Sequence, residues 1–223
     1  MNKRSIMIAG TTGLVGRALL NNALLDESIS VVHSISRRPI GVTHAKLHTH
    51  VVDFTDLPEL PTVDEVYLAI GTTIKVAGSQ AAFKAVDFDM NLAVAKAALA
   101  VGAKRVGVVS SMGANAQSSV FYTRVKGELE AAISALGFEY CVFARPSFLM
   151  GDRQALDQPK RLGERVGLAC FNLLKPLVPR NYRPVAADDV ANTLLRALAV
   201  VPQNVAANTV KGHQVFLSGD LHR

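Results

Sequence analysis

The sequence predicts an α/β protein built on a doubly wound parallel sheet. Three observations carry that expectation. Short apolar runs ending in glycine or serine alternate with helical patterns along most of the chain. A glycine-rich turn separates the first such run from the first helix. With 49% hydrophobic residues and a mean hydropathy of +0.24, the chain is also apolar, as strands buried on both faces require.

Each element follows from its local pattern. Ser5 to Ala9 is a short apolar run closed by Gly10 and reads as a buried strand. Gly13 to Leu25 has helical spacing through Leu14, Ala18, Leu19 and Leu24. Ser30 to Ser36 and Leu47 to Val52 read as strands, the second ending at Asp53-Phe54. Val63 to Ile70 is a further apolar run, closed by Gly71. Ser79 to Val101 predicts a long alanine-rich helix, and Arg105 to Val109 a strand ending at Ser110-Ser111. Phe121 to Leu136 predicts a helix stopped by Gly137, and Glu139 to Ala144 a strand ending at Arg145-Pro146. Beyond Pro146 the order is less regular. Gly151 to Arg183 is rich in turn residues and bases, with an apolar patch from Val166 to Leu174. Ala187 to Val200 reads as a helix with Asp188 and Asp189 in its first turn, where they suit the dipole. Gln214 to Leu217 reads as a final strand.

Composition narrows the function classes. The 223 residues fit one sizeable core better than two. One domain over 1–223 is therefore expected, with 151–183 as a segment covering the substrate. A net charge of +6 favours anionic ligands in general. The bases are scattered, there is no Trp, and aromatics are only 6%, so no nucleic-acid partner is expected. The N-terminal apolar run breaks at Gly10 and meets Arg17, too short for a signal-peptide core. The apolar region from Leu92 is interrupted by Lys96, Lys104 and Arg105, so no membrane span is expected either. Cys141 and Cys170 lie in apolar contexts and read as reduced, buried thiols, which suggests a cytoplasmic protein. His44, His48 and His50 fall on a loop and a strand start with no cysteine adjacent, so no metal is expected.

The candidate site gathers at strand ends. Gly10-Thr11-Thr12-Gly13-Leu14-Val15-Gly16 lies where a dinucleotide pyrophosphate would rest on a helix N-terminus. Its spacing is G-x-x-G-x-x-G, so the G-x-G-x-x-G fingerprint is only partly met. After the second strand comes Ser36-Arg37-Arg38 in place of the acidic residue that would hold an NAD ribose. Arginines there suit a 2′-phosphate, so NADP(H) is expected over NAD(H). Asp53 and Phe54 could flank the adenine, and Gly71-Thr72-Thr73 would pass close to the cofactor. Tyr122 and Lys126 stand four apart and share a helix face. A tyrosine holds its proton to about pH 10. A nearby ammonium favours the phenolate, which would suit acid–base work near neutrality. A serine from Ser110-Ser111 could hold a substrate oxygen.

Together the glycine loop, Ser36-Arg37-Arg38, Gly71-Thr72-Thr73, Ser110-Ser111, Tyr122-x-x-x-Lys126 and Arg145-Pro146-Ser147-Phe148-Leu149-Met150-Gly151 resemble an atypical short-chain dehydrogenase/reductase. The nearest branch is the Tat-interacting-protein-like oxidoreductases, and the likeness runs from about Ser5 to Asp189. The resemblance implies a Rossmann fold, with Tyr122 as proton donor or acceptor and Lys126 on the nicotinamide ribose. It also implies a serine polarising the carbonyl, Ser111 first and Ser110 as runner-up. Pro146 to Leu149 corresponds to the loop beside the nicotinamide. One departure stands out: the asparagine that many members carry in the central helix is Asp87 here, with Asn91 one turn later. The expected function is an NADP(H)-dependent oxidoreductase acting on a carbonyl or alcohol. The alternative is a non-catalytic NADP(H)-binding regulator acting through a protein partner. A sugar-nucleotide epimerase is a weaker option, since it would want an acidic NAD site and a larger C-terminal region.

Overall fold

The computed structural model describes residues 3–150, 179–200 and 212–221. Strands β1 (Arg4–Ala9), β2 (Ile29–Ser36), β3 (Leu47–Val51), β4 (Glu65–Leu68), β5 (Arg105–Val109) and β6 (Tyr140–Arg145) precede a two-residue strand β7 (Leu149–Met150). Two more follow, β8 (Val185–Ala186) and β9 (Gly212–Leu217). Seven of them form one parallel sheet in the order β3-β2-β1-β4-β5-β6-β9, while β7 pairs with β8 apart from it. The strand order reverses between β1 and β4, which opens a crevice at the C-terminal ends of those two strands.

Helices cover both faces. On one side α1 (Leu14–Leu25) packs with α6 (Ala187–Ala199). On the other lie α4 (Asn91–Ala100) and α5 (Phe121–Leu136). Alternate residues of β1 supply the two cores. Ile6 and Ile8 join Leu19, Leu20, Val190 and Leu194 on the first side. Met7 and Ala9 join Val94, Ala98, Leu129 and Ile133 on the second. Burial on both faces explains why β1 reads as a continuous apolar run rather than an alternating one.

The expected helix over Ser79–Val101 is present but not uniform. Ser79 Oγ accepts from the Ala82 N–H at 3.1 Å and caps α3 (Gln80–Lys84). A π-helical stretch, Ala85–Met90, then leads into α4. A short helix α2 (Ile74–Ala77) precedes α3, capped by Thr73 Oγ1. Four residues are too few for a helical period, so the sequence pattern gives no sign of α2. The same holds for β7, β8, a 3₁₀ turn at Arg180–Tyr182 and α7 (Ser218–Leu221). Cys170, the patch Val166–Leu174, the bases Arg153, Lys160, Arg161, Arg165 and Lys175, and most of the 151–183 substrate-covering segment lie outside the described residues.

At the end of the sheet away from the crevice, Glu65 is fully buried. It accepts from Arg4 Nη1 at 2.7 Å and Tyr67 Oη at 2.6 Å, and pairs with Arg105 Nη2 at 2.9 Å. This carboxylate ties β1, β4 and β5 together where their side chains leave the core. Burial, and after it the charge of Glu65 and the hydrogen bond to it, hold the Tyr67 hydroxyl well above its usual range.

At the edge of the sheet, His33 on β2 faces His48 and His50 on β3. His33 Nδ1 lies 3.0 Å from His50 Nε2, and the His33 and His48 rings stack at 5.3 Å. Among the described residues no group of three or more metal-type side chains converges on a metal position. Burial, then the neighbouring His50 and His48, push His33 down to about 4. The folded state therefore releases the His33 proton that an unfolded chain, with a value near 6.5, would still hold. Stability should be full above pH ~6.5, fall as the pH drops from there toward ~4, and level off below. Urea midpoints measured at about pH 7.5 and pH 5 should converge in a His33→Gln variant relative to wild type; an unchanged gap would contradict this origin.

Candidate active site

The loop after β1 is held against both neighbouring strands. Thr11 is buried, with its Oγ1 2.7 Å from Ser34 Oγ on β2. Gly10 has φ +95°, and a Cβ there would stand 2.6 Å from the Ala69 carbonyl. A Cβ on Gly16 would stand 2.0 Å from the Gly10 oxygen. Only glycine lets strand, loop and helix meet this closely. Gly13 is the N-cap of α1, makes no side-chain cap, and no acidic residue occupies the first turn. The first N–H groups of α1 thus have no side chain competing for them, which is the arrangement an anion needs. Thr12 and Leu14 reach the surface to different degrees, while Val15 packs into the core and could offer only its backbone.

Arg37 and Arg38 follow β2 on the surface, and Ser36 Oγ donates to the Arg38 carbonyl at 2.7 Å to turn the chain. Asp53 is exposed and accepts from the Thr55 N–H at 2.9 Å and the Thr55 hydroxyl at 2.7 Å, which hold its carboxyl below the usual range. Phe54 is buried and packs in the second core, so its ring belongs to the protein interior.

The stretch after β4 is clamped from the π-helical turn. Thr72 N–H donates to Asp87 Oδ2 at 2.8 Å. Asn91 Nδ2 donates to the Ile70 carbonyl at 3.0 Å and to the Asp87 carbonyl at 3.0 Å. Asp87 Oδ1 in turn lies 2.6 Å from Lys126 Nζ, with side chains 1% and 5% exposed; the contact is an ion pair without an aligned hydrogen bond. An added residue in a helix turn rotates every later side chain about the axis, and π turns recur at functional sites. Tyr122 is half-buried one turn before Lys126, its ring 5.4 Å from Phe83.

The two serines separate clearly. Ser110 is buried and its hydroxyl donates to Glu130 Oε1. Glu130 also takes Arg145 Nε at 3.0 Å and Nη2 at 2.5 Å. The hydrogen bond to Glu130, which outweighs burial, raises the Arg145 guanidinium above its usual value. Ser111 is half-buried, and among the described residues its hydroxyl makes only a long 3.4 Å contact with the Met112 carbonyl. Ser110 is therefore spoken for by a structural network, and Ser111 is not. Motif reasoning passes over Glu130, although it stands four residues after Lys126, and Lys126 four after Tyr122; that repeat is the available signal. Pro146 is buried, with its carbonyl accepting from Met112 N–H at 3.0 Å, so the loop after β6 packs on the loop after β5. Leu149 pairs with Val185 across β7 and β8.

Comparison with known proteins adds a family. The "NAD dependent epimerase/dehydratase family" matches residues 6–134. A Candida glabrata protein called "Protein FMP52, mitochondrial" is 35% identical over 220 residues, 95% of this chain and 92% of that one. Its Candida albicans counterpart is 34% identical over 201 residues, 82% and 86% of the two chains. Among solved structures, an oxidoreductase of the short-chain dehydrogenase/reductase family from Burkholderia thailandensis superposes with TM-score 0.70 at 21% identity, covering 99% of this chain and 94% of that one. MoeE5 in complex with UDP-glucose and NAD gives TM-score 0.65 at 15% identity, covering 95% and 74%. Both show the fold.

The relatives' names overturn one expectation. They are called mitochondrial, so the cytoplasmic reading drawn from the cysteines does not stand. The physical reason is local: Cys141 is 4% exposed inside β6, and burial there would shield a thiol in any compartment. Among the described residues no helix is long and apolar enough to cross a membrane.

The division between the serines is measurable. Glu130→Ala should lose about 3 kcal/mol of unfolding free energy, because Arg145 and Ser110 are left without their partner. Ser111→Ala should stay within ~0.5 kcal/mol of wild type. Denaturant unfolding of the two variants gives the comparison; equal losses would contradict it.

Proposed function

The chain belongs to the NAD dependent epimerase/dehydratase family, and from that premise we propose that it is an NADP(H)-dependent oxidoreductase acting on a carbonyl or alcohol. The observation that carries this reading is the contact chain Thr72–Asp87–Lys126, which links the loop after β4 to the helix bearing Tyr122. A nicotinamide cofactor, when bound, would supply or accept the hydride. The glycine cradle and the open first turn of α1 fit its pyrophosphate, with Gly10, Thr12, Gly13, Leu14, Val15 and Gly16 offering backbone groups. Thr72, Thr73, Ser110, Pro146 and Leu149 would border it along the crevice. Gly71 would allow close approach.

In carbonyl reduction Tyr122 would give its hydroxyl proton to the substrate oxygen; in alcohol oxidation it would take the proton back. Ser111, whose hydroxyl is barely engaged, donates a hydrogen bond to the same oxygen. Lys126 would hold the ribose and keep a positive charge beside the tyrosine. The retained serine, tyrosine and lysine favour turnover over a purely regulatory role. Loss of turnover with cofactor binding intact is the expected result for Tyr122→Phe, by roughly 10²-fold or more. A screen of carbonyl compounds by NADPH oxidation tests it, and a variant as fast as wild type would remove Tyr122 from the mechanism.

The preference for NADP(H) rests on the strand β2 terminus. The family is described by its NAD dependence, yet no carboxylate follows β2 here to hold a ribose 2′-hydroxyl. Arg37 and Arg38 are exposed there and carry two guanidinium forks suited to a phosphate. Replacing both by Ala should weaken NADPH binding about 10- to 100-fold while changing NADH binding little. Titration of each nucleotide would show this, and equal losses would refute the assignment.

A further inference from the structure

Asp87 does two jobs with one carboxylate. Oδ2 accepts the Thr72 N–H at 2.8 Å, and Oδ1 lies 2.6 Å from the Lys126 ammonium. Both charged groups are almost fully buried. Asn91, the next residue on the same face, fixes the Ile70 carbonyl and the Asp87 carbonyl. The π-helical stretch Ala85–Met90 is what brings Asp87 and Asn91 together against the end of β4.

We propose that Asp87 is a positioning residue: its carboxylate locks the Lys126 ammonium to the Thr72 backbone, so that the loop after β4 and the helix carrying Tyr122 are set by a single ion pair. This rests on the oxidoreductase reading above. An asparagine at this place could accept the Thr72 hydrogen bond, but it could not neutralise an ammonium. With Asp87 present, the charge of Lys126 is balanced locally and its direction is fixed. Without it, the buried ammonium would lose its counter-charge and would be free to turn.

Other charged groups around this pair are already engaged. Lys84 on α3 and Arg124 on α5 each lie 3.8 Å from Glu128. Glu130 is held by Arg145 from β6. Asp89 on the π turn faces solvent. None of these is changed by substituting Asp87.

The test is a double-variant cycle of Asp87→Asn, Lys126→Met and the two combined, with Asp87→Glu beside it, read by NADPH titration. Asp87→Asn should weaken NADPH binding about tenfold or more, through the loosened lysine. Asp87→Glu, which keeps a counter-charge for the ammonium, should bind NADPH more tightly than Asp87→Asn. The combined variant buries no unpaired charge and should fold even where Asp87→Asn alone does not. It should bind NADPH within about twofold of Lys126→Met, since Asp87 acts through Lys126. Independent, additive losses in binding, or Asp87→Glu binding no more tightly than Asp87→Asn, would overturn the proposal. The binding cycle needs no turnover, so it decides on Asp87 even if the carbonyl screen defeats the oxidoreductase reading.

Discussion

The candidate site depends on how closely the Gly10–Gly16 loop lies against the end of β4. Gly10 leaves no room for a Cβ beside the Ala69 carbonyl, and Gly16 leaves none beside the Gly10 oxygen. That contact fixes where the backbone after β4 begins. From there the arrangement is continuous: Asn91 holds Ile70, Asp87 holds Thr72, and Asp87 reaches Lys126. Lys126 lies one turn from Tyr122 on α5. The glycine loop and Tyr122, far apart in sequence, are thus joined by contacts that leave little slack. Such rigidity is what positioning in catalysis requires.

Two further buried carboxylates keep this frame in place. Glu65 gathers Arg4, Tyr67 and Arg105 at the far end of the sheet, and Glu130 gathers Ser110 and Arg145 beside the crevice. Burying charge is costly, and a buried pair adds little net stability over an apolar replacement. What these pairs contribute is placement. A carboxylate at 0% exposure needs its partners, and Arg4, Tyr67 and Arg105 supply them where β1, β4 and β5 meet at Glu65. Glu130 likewise removes Ser110 from chemistry and leaves Ser111 as the hydroxyl with capacity to spare.

Much of this is legible in the sequence, and the parts that are not have physical causes. The parallel sheet and its two-sided core follow from runs such as Ile6-Met7-Ile8-Ala9, because burial on both faces writes itself as unbroken hydrophobicity. Gly10 and Gly16 announce the loop because no other residue type fits it. The π turn does not show, since one extra residue per turn leaves the alanine-rich composition of Ser79–Val101 unchanged. The direct Asp87–Lys126 pair joins residues 39 positions apart in sequence (126 minus 87) and is visible only once the π-helical stretch and α5 are packed side by side. The compartment cannot be read from Cys141, whose environment is set by β6 alone. Phe54 reads as a ligand neighbour because it follows a strand, but its apolar ring finds the core.

In the proposed function the glycine cradle, the β2 arginines and the Lys126 helix serve a single NADP(H). A crystal structure with NADP⁺ bound tests this most directly. The pyrophosphate should lie on the Gly10–Gly16 loop, the 2′-phosphate against Arg37 and Arg38, and the nicotinamide ribose within hydrogen-bond reach of Lys126. A 2′-phosphate turned to solvent, or a ribose out of reach of Lys126, would contradict it.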